Sequence, residues 1–295
     1  LLLYMALPPL FFGFLLTVFP RWMGYPDMSP GAYVPAAGGY ASAALAGWAG
    51  LLAGHGALLA SAFFVALLAS LWGMAMLLMV AVRESRDGKG PTWHAWSILA
   101  AFGAAIAGQI ALLCFLYGLD PVCLMFANRV GLNLFLMPVF LTVTHRMLPF
   151  FAANAVRGYQ PWRPFWLLGC IWAGVVSLSL GELIAVSVLR GAGAALLTAM
   201  TALMLWKWWP RSKAPTLLWV LVIGFAWTPV GYALALLDSN GLWLGRAPDH
   251  ALTIGFAGSL IVAMVTRVTQ GHSGRPLVLP AAGYIAFAGV QLAAV

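Results

Sequence analysis

Charge is what this sequence has least of. Asp, Glu, Lys and Arg make up 7% of its 295 residues, where a soluble domain carries about 25%. Acid is the rarer sign, with seven Asp and Glu against fifteen Lys and Arg. Cysteine is scarce too. Cys114, Cys123 and Cys170 are scattered with no Cys-x-x-Cys spacing, which argues against a disulfide framework and against a zinc site built on cysteine. No soluble domain and no clear internal repeat interrupts the chain. A water-soluble fold is excluded as well. Hydrophobic residues are 63% of the sequence, more apolar surface than a water-soluble core could hide, so lipid must be the solvent.

What is there is a series of apolar runs. A bilayer is crossed by about 20 apolar residues, and ten runs approach or exceed that length, at roughly 1–19, 36–54, 57–82, 95–118, 121–144, 164–189, 191–209, 215–237, 249–268 and 277–295. The sequence therefore predicts an all-α, polytopic transmembrane helix bundle with about ten spans, a single integral-membrane domain over 1–295. Leu1 opens inside one apolar run and Val295 closes inside another, so the sequence reads as a piece truncated at both ends.

The basic residues check that count. Arg21, then Arg83, Arg86 and Lys89, then Arg146, Arg157 and Arg163, then Lys207, Arg211 and Lys213, then Arg267 and Arg275 fill alternate gaps. These are twelve of the fifteen; Arg190 and Arg246 lie in the other gaps and Arg129 lies within a run. Cytoplasmic loops collect Lys and Arg, so the alternation assigns the odd gaps to the cytoplasm. The net charge of +8 is accordingly a loop bias. It forms no single patch, and nucleic acid is not an expected partner; the lipid bilayer is. Many of the fourteen Trp flank the runs, among them Trp22, Trp93, Trp96, Trp162, Trp208, Trp209 and Trp243, as interfacial anchors do.

Five histidines are candidate ligands: His55, His94, His145, His250 and His272. Imidazole is the commonest metal ligand and also binds haem iron. His55 and His94 have no suggestive neighbours and read as interfacial hydrogen-bonding residues. His250 follows Asp249 at the head of the ninth run, where the acid either orients the ring or caps a helix. Seventeen residues separate His250 from Arg267, about 25 Å of helix, so His250 and His272 are expected on opposite faces of the membrane. The far end of that run, Thr266 to Pro276, gathers Arg267, Arg275, His272, two Gly and several hydroxyls. It predicts a tightly turned loop fit to hold an anion through Arg forks and backbone N–H groups; an ordinary basic loop is the plainer alternative. A polar layer is also expected inside the membrane. Gln109, Arg129 and Glu182 each lie roughly 10–14 Å from an outer span end by helical rise. An isolated intramembrane charge is costly, which predicts a Glu182–Arg129 pair with Gln109 nearby. Such a pair serves equally as a ligand path or as a structural link between helices.

Three stretches carry a resemblance. Residues 13–24, GFLLTVFPRWMG, resemble a "GFLLTAVPNWTG" segment, and residues 146–151, RMLPFF, resemble "RVIPFF". Residues 249–277, DHALTIGFAGSLIVAMVTRVTQGHSGRPL, resemble the "HAL…G…M…RV…GHTGRPL" signature of the NnrS family. The resemblance implies a haem- and copper-containing bacterial inner-membrane protein of the nitric-oxide response, with about twelve spans in the full family pattern. It implies cofactor-binding roles for His250, His272, Arg267, Arg275 and Arg146, with His250 and His272 as metal ligands and Arg146 and Pro149 shaping an adjoining loop. A "WHxHEM" motif expected ahead of Gly13 is absent, and His145 stands where the family usually has Gly. The resulting expectation is a haem- and copper-binding protein acting in resistance to nitrosative stress, with nitric oxide or a related small molecule as partner. Ligation does not establish catalysis. A transporter of a metal or small anion and a membrane electron-transfer subunit are the alternatives.

Overall fold

A computed structural model of the chain describes residues 2–22, 24–88, 92–274 and 276–295. Every one of the ten apolar runs is a helix, and no strand occurs among the described residues. The helices are α1 (2–22), α2 (Pro30–Leu52), α3 (Gly56–Asp87), α4 (Trp93–Leu116), α5 (Val122–Ala155), α6 (Trp166–Leu183), α7 (Ser187–Trp208), α8 (Thr216–Ser239), α9 (247–272) and α10 (Ala281–Ala294). Among the described residues eight are long and apolar enough to cross a membrane; α2 falls short on composition and α10 on length. The chain is a multi-pass, all-helical membrane protein.

The chain divides into two compact units, residues 1–139 and 140–295, with the division inside α5. In the first unit α1 packs on α2 and α3, and α2, α3, α4 and the first part of α5 pack in series. Its centre is aromatic. The Phe12 ring lies 4.4 Å from Phe102 and 6.0 Å from Tyr40, and Phe102 lies 5.3 Å from Phe135. Such offset and edge contacts add about 0.5–1.5 kcal/mol each beyond burial. In the second unit α6, α7, α8, α9 and α10 pack in series. Trp208, Phe225, Phe256 and Phe140 form its aromatic chain, with neighbouring rings 4.9, 5.9 and 5.8 Å apart.

Small residues let the helices approach. A Cβ at Gly193 would fall 2.5 Å from Leu178 N, so α6 and α7 touch backbone to backbone there, as small-residue interfaces do in membranes. Gly54 serves differently. Its φ of +64° makes it a turn residue between α2 and α3.

Three helix ends differ from the apolar count. The sixth run stops early: α6 ends at Leu183, and Ala185 (φ 55°) turns the chain, with Val186 N–H closing on Gly181 O at 2.8 Å. That is a Schellman end with Ala where Gly is usual, which hydropathy does not reveal. The fifth run continues to Ala155, so Arg146 and Pro149 lie inside α5 and do not shape a loop; the connection is only 156–165. The ninth run continues to His272, so the turn is confined to residues from Ser273 onward, with Gly274 at φ +66°. Lipid explains both extensions. Backbone groups near the membrane have no water to bond, so the helix continues past a polar side chain until a cap is available.

Candidate functional site

α9 carries three of the residues singled out by the sequence, His250, Arg267 and His272. It opens at Ala247 with Pro248 in its first turn, a position that suits proline because its missing N–H would be unpaired anyway. Asp249 sits in that first turn, where an acid complements the helix dipole. His250 follows with its side chain exposed, and its backbone N–H donates to Arg246 O at 2.9 Å. From Ala251 to Gly258 the helix widens into a π-helical run, a form frequent at functional sites.

Packing holds that run open. Gly255 lies against the Trp227 indole, where a Cβ would come within 2.5 Å of Cγ. Trp227 Nε1–H donates to Gln291 Oε1 at 2.8 Å, and Gln291 Nε2 donates to Ser259 Oγ at 2.7 Å. These two bonds tie α8, α9 and α10 together at the residue where α-helical geometry resumes. Ser259 is fully buried, and a satisfied polar chain in a low-dielectric interior fixes one arrangement. Sequence reasoning missed Trp227, Ser259 and Gln291. The available signal was Gln291, the one amide in an otherwise apolar last run.

The other end of α9 is basic. Arg267 stacks on Phe151 of α5, its guanidinium carbon 3.7 Å from the ring centroid. Arg146 stands about a turn and a half earlier on α5, half-buried. Gln270 Nε2 donates to Val278 O at 2.5 Å and folds the turn back against the helix. The His272 side chain and Arg275 lie outside the described residues. His250 and His272 occupy opposite ends of one continuous helix, about 33 Å apart by helical rise, so they do not share a ligand. The 156–165 connection covers the same end. His145 is fully buried with Nε2 3.2 Å from Pro164 O, and Trp208 donates to Trp162 O at 2.7 Å. Trp208, expected as an interfacial anchor, is wholly buried. Its indole N–H finds its acceptor on the loop folded over it. Tyr159 in that loop has no hydroxyl partner among the described residues, and burial pushes its phenol up to about 12.

Of the residues of the expected polar layer, Gln109 and Arg129 lie in the first unit and Glu182 in the second. Gln109 is buried in the first unit, where Nε2 donates to Tyr4 O at 3.3 Å. Tyr4 Oη in turn donates to Ala127 O at 2.6 Å, just ahead of a second π-helical run, Gly131–Leu136. Arg129 belongs to the first unit and is partly exposed. Glu182 belongs to the second and occupies the last turn of α6, because that helix stops at Leu183. Among the remaining histidines, His55 caps α3, its Nδ1 accepting from Leu58 N at 3.3 Å, and His94 is buried beside Trp22.

The donor set decides which groups fit. Among the described residues no three His, Cys, Asp or Glu side chains come together. The described side chains therefore do not form a closed cage for a metal ion, which takes three or four ligands. His250 offers one accessible imidazole, a donor that could hold haem iron.

The family model described as NnrS protein matches residues 1–295, the whole sequence. The chain belongs to the NnrS family. No curated protein and no solved structure matches it. The NnrS family is associated with haem and copper. Residues 249–272 of the longest resembling stretch lie on α9.

Proposed function

We propose that this NnrS-family protein binds haem, and copper with it, in the bacterial inner membrane and acts in the response to nitric oxide or nitrosative stress. The observation that carries the reading is the exposed His250 imidazole on the first turn of α9, directly ahead of the π-helical run, in a chain the family model matches end to end. Haem iron, when bound, supplies a centre that takes nitric oxide as a ligand. The chain's own part is to present the imidazole and fix its direction. Asp249 precedes it in the first turn, and the Trp227–Gln291–Ser259 chain holds the helix below it. Arg146 and Arg267, with His272 and Arg275, are the residues proposed to hold an anion such as a propionate carboxylate. Gln109, Arg129 and Glu182 are the polar residues proposed to serve a small ligand's passage.

The test is the absorption spectrum and metal content of protein purified in detergent from cells supplied with haem and copper. Wild type is compared with His250→Ala and His272→Ala. A Soret band that shifts on nitric-oxide addition, disappears in His250→Ala and persists in His272→Ala is expected. A colourless, metal-free wild type overturns the cofactor reading and puts transport of a metal or small anion first.

A further inference from the structure

Where α7 ends and α8 begins, an open groove of about 330 Å³ is lined by Ala202, Leu205, Trp206, Trp209 and Arg211. Two cations flank one indole there. Lys207 Nζ lies 4.5 Å from the Trp206 ring centroid and the Arg211 guanidinium carbon 5.9 Å from it. Both indoles lining the groove are open: Trp206 is 57% exposed and Trp209 43%. Trp209 is braced edge-on against Trp219 at 5.2 Å.

The charges have no counterpart on this end of the unit. Residues 140–295 contain three acids, Glu182, Asp238 and Asp249. Glu182 is in the last turn of α6, Asp238 in the last turn of α8 and Asp249 in the first turn of α9, all at the helix ends away from the groove. Asp238 is already engaged, accepting from Arg190 at 2.6 Å. Among the described residues neither Lys207 nor Arg211 has an ion pair; their interactions are with indole faces. A cation resting on an aromatic face keeps its charge available to an anion. The groove thus has a positive rim, an aromatic wall and an apolar floor of Ala202 and Leu205, one turn deeper along a membrane-length helix.

We propose that this groove binds an anionic phospholipid, its phosphate between Lys207 and Arg211 and its glycerol and first acyl carbons against Trp206, Trp209, Leu205 and Ala202. The apolar floor favours a lipid over free phosphate. Long basic side chains at a span end reach the headgroup layer while their stems stay on apolar surface, and juxtamembrane Lys and Arg attract anionic lipid. The proposal does not rest on the haem reading.

The test is native mass spectrometry of the full chain, released from micelles holding equal phosphatidylglycerol and phosphatidylcholine. Wild type is expected to retain phosphatidylglycerol preferentially. Two basic residues imply that Lys207→Ala with Arg211→Ala lowers that preference by roughly tenfold or more. Arg211→Gln alone, a change at an exposed side chain, guards against a folding defect and is expected to show a smaller loss in the same direction. Arg157→Ala, a basic residue outside the groove, is expected to behave as wild type. Undiminished retention in both groove variants overturns the proposal. So does displacement of the lipid by millimolar inorganic phosphate, which would assign the site to a free anion.

Discussion

Each of the two units has a basic end, and the two ends are built on different chemistry. In the first unit acids stand among the cations. Arg21 holds Asp27 through two bonds of 2.8 and 2.9 Å, Tyr25 donates its hydroxyl to Asp87, and Arg83 lies 4.7 Å from the Tyr25 ring centroid. A groove of about 560 Å³ at this end has Asp87 in its lining beside Arg83 and Arg86. In the second unit the groove cations rest on indoles and no acid stands near them. Hydropathy and the positive-inside bias score both ends alike. The difference lies in where the seven acids fall. It separates an end that neutralises itself from one that is open to an anion supplied from outside.

The comparison is open to attack at three strengths. The largest effect is expected at Trp208, which is 0% exposed and anchors the 156–165 connection over the second basic end. Trp208→Ala is expected to cost about 3–5 kcal/mol, read as a fall in the thermal unfolding midpoint in detergent. Trp93→Ala in the first unit, 58% exposed, is the matched control and should barely move it. Equal losses at the two sites would show that the second end is not held by this anchor. An intermediate effect is expected at Asp87. Placed in the Lys207→Ala, Arg211→Ala background, Asp87→Asn removes the carboxylate that lines the groove beside Arg83 and Arg86 and should restore phosphatidylglycerol retention several-fold. No gain would mean that the acid is not what distinguishes the two ends. The smallest effect belongs to Asp27. Its pair with Arg21 is 60% and 56% exposed, so Asp27→Ala should shift the midpoint only slightly, measured in the same unfolding experiment. A loss several times larger would reveal a stronger structural role for that end than exposed pairs have.

The helices were legible in the sequence and their ends were less so. All ten apolar runs fold as helices because lipid leaves the backbone no other way to satisfy itself. The end of α6 was hidden because Ala185 takes the left-handed conformation that glycine usually signals. Arg146 and His272 read as loop residues because charge commonly ends a span, whereas α5 runs on past Arg146 and α9 extends as far as His272. At the candidate site, His250 and Arg267 are singled out by motif. The partners of the surrounding framework are not. Arg267 on Phe151, Trp227 on Gln291 and Trp208 on Trp162 each join residues that no local spacing connects. Nor does composition distinguish a π-helical run from an α-helical one, since both bury the same apolar residues.

That run in α9 alters how the helix is to be indexed. Each α-helical residue advances the face by about 100°, whereas a π-helical turn carries an additional residue for the same circuit. Positions before Ala251 and after Gly258 are therefore out of phase with one another. A helical wheel drawn through 247–272 at a single period assigns His250 and Arg267 to the wrong relative azimuths. Each half of the helix keeps its own compass, with Ser259 marking where the bearing is reset.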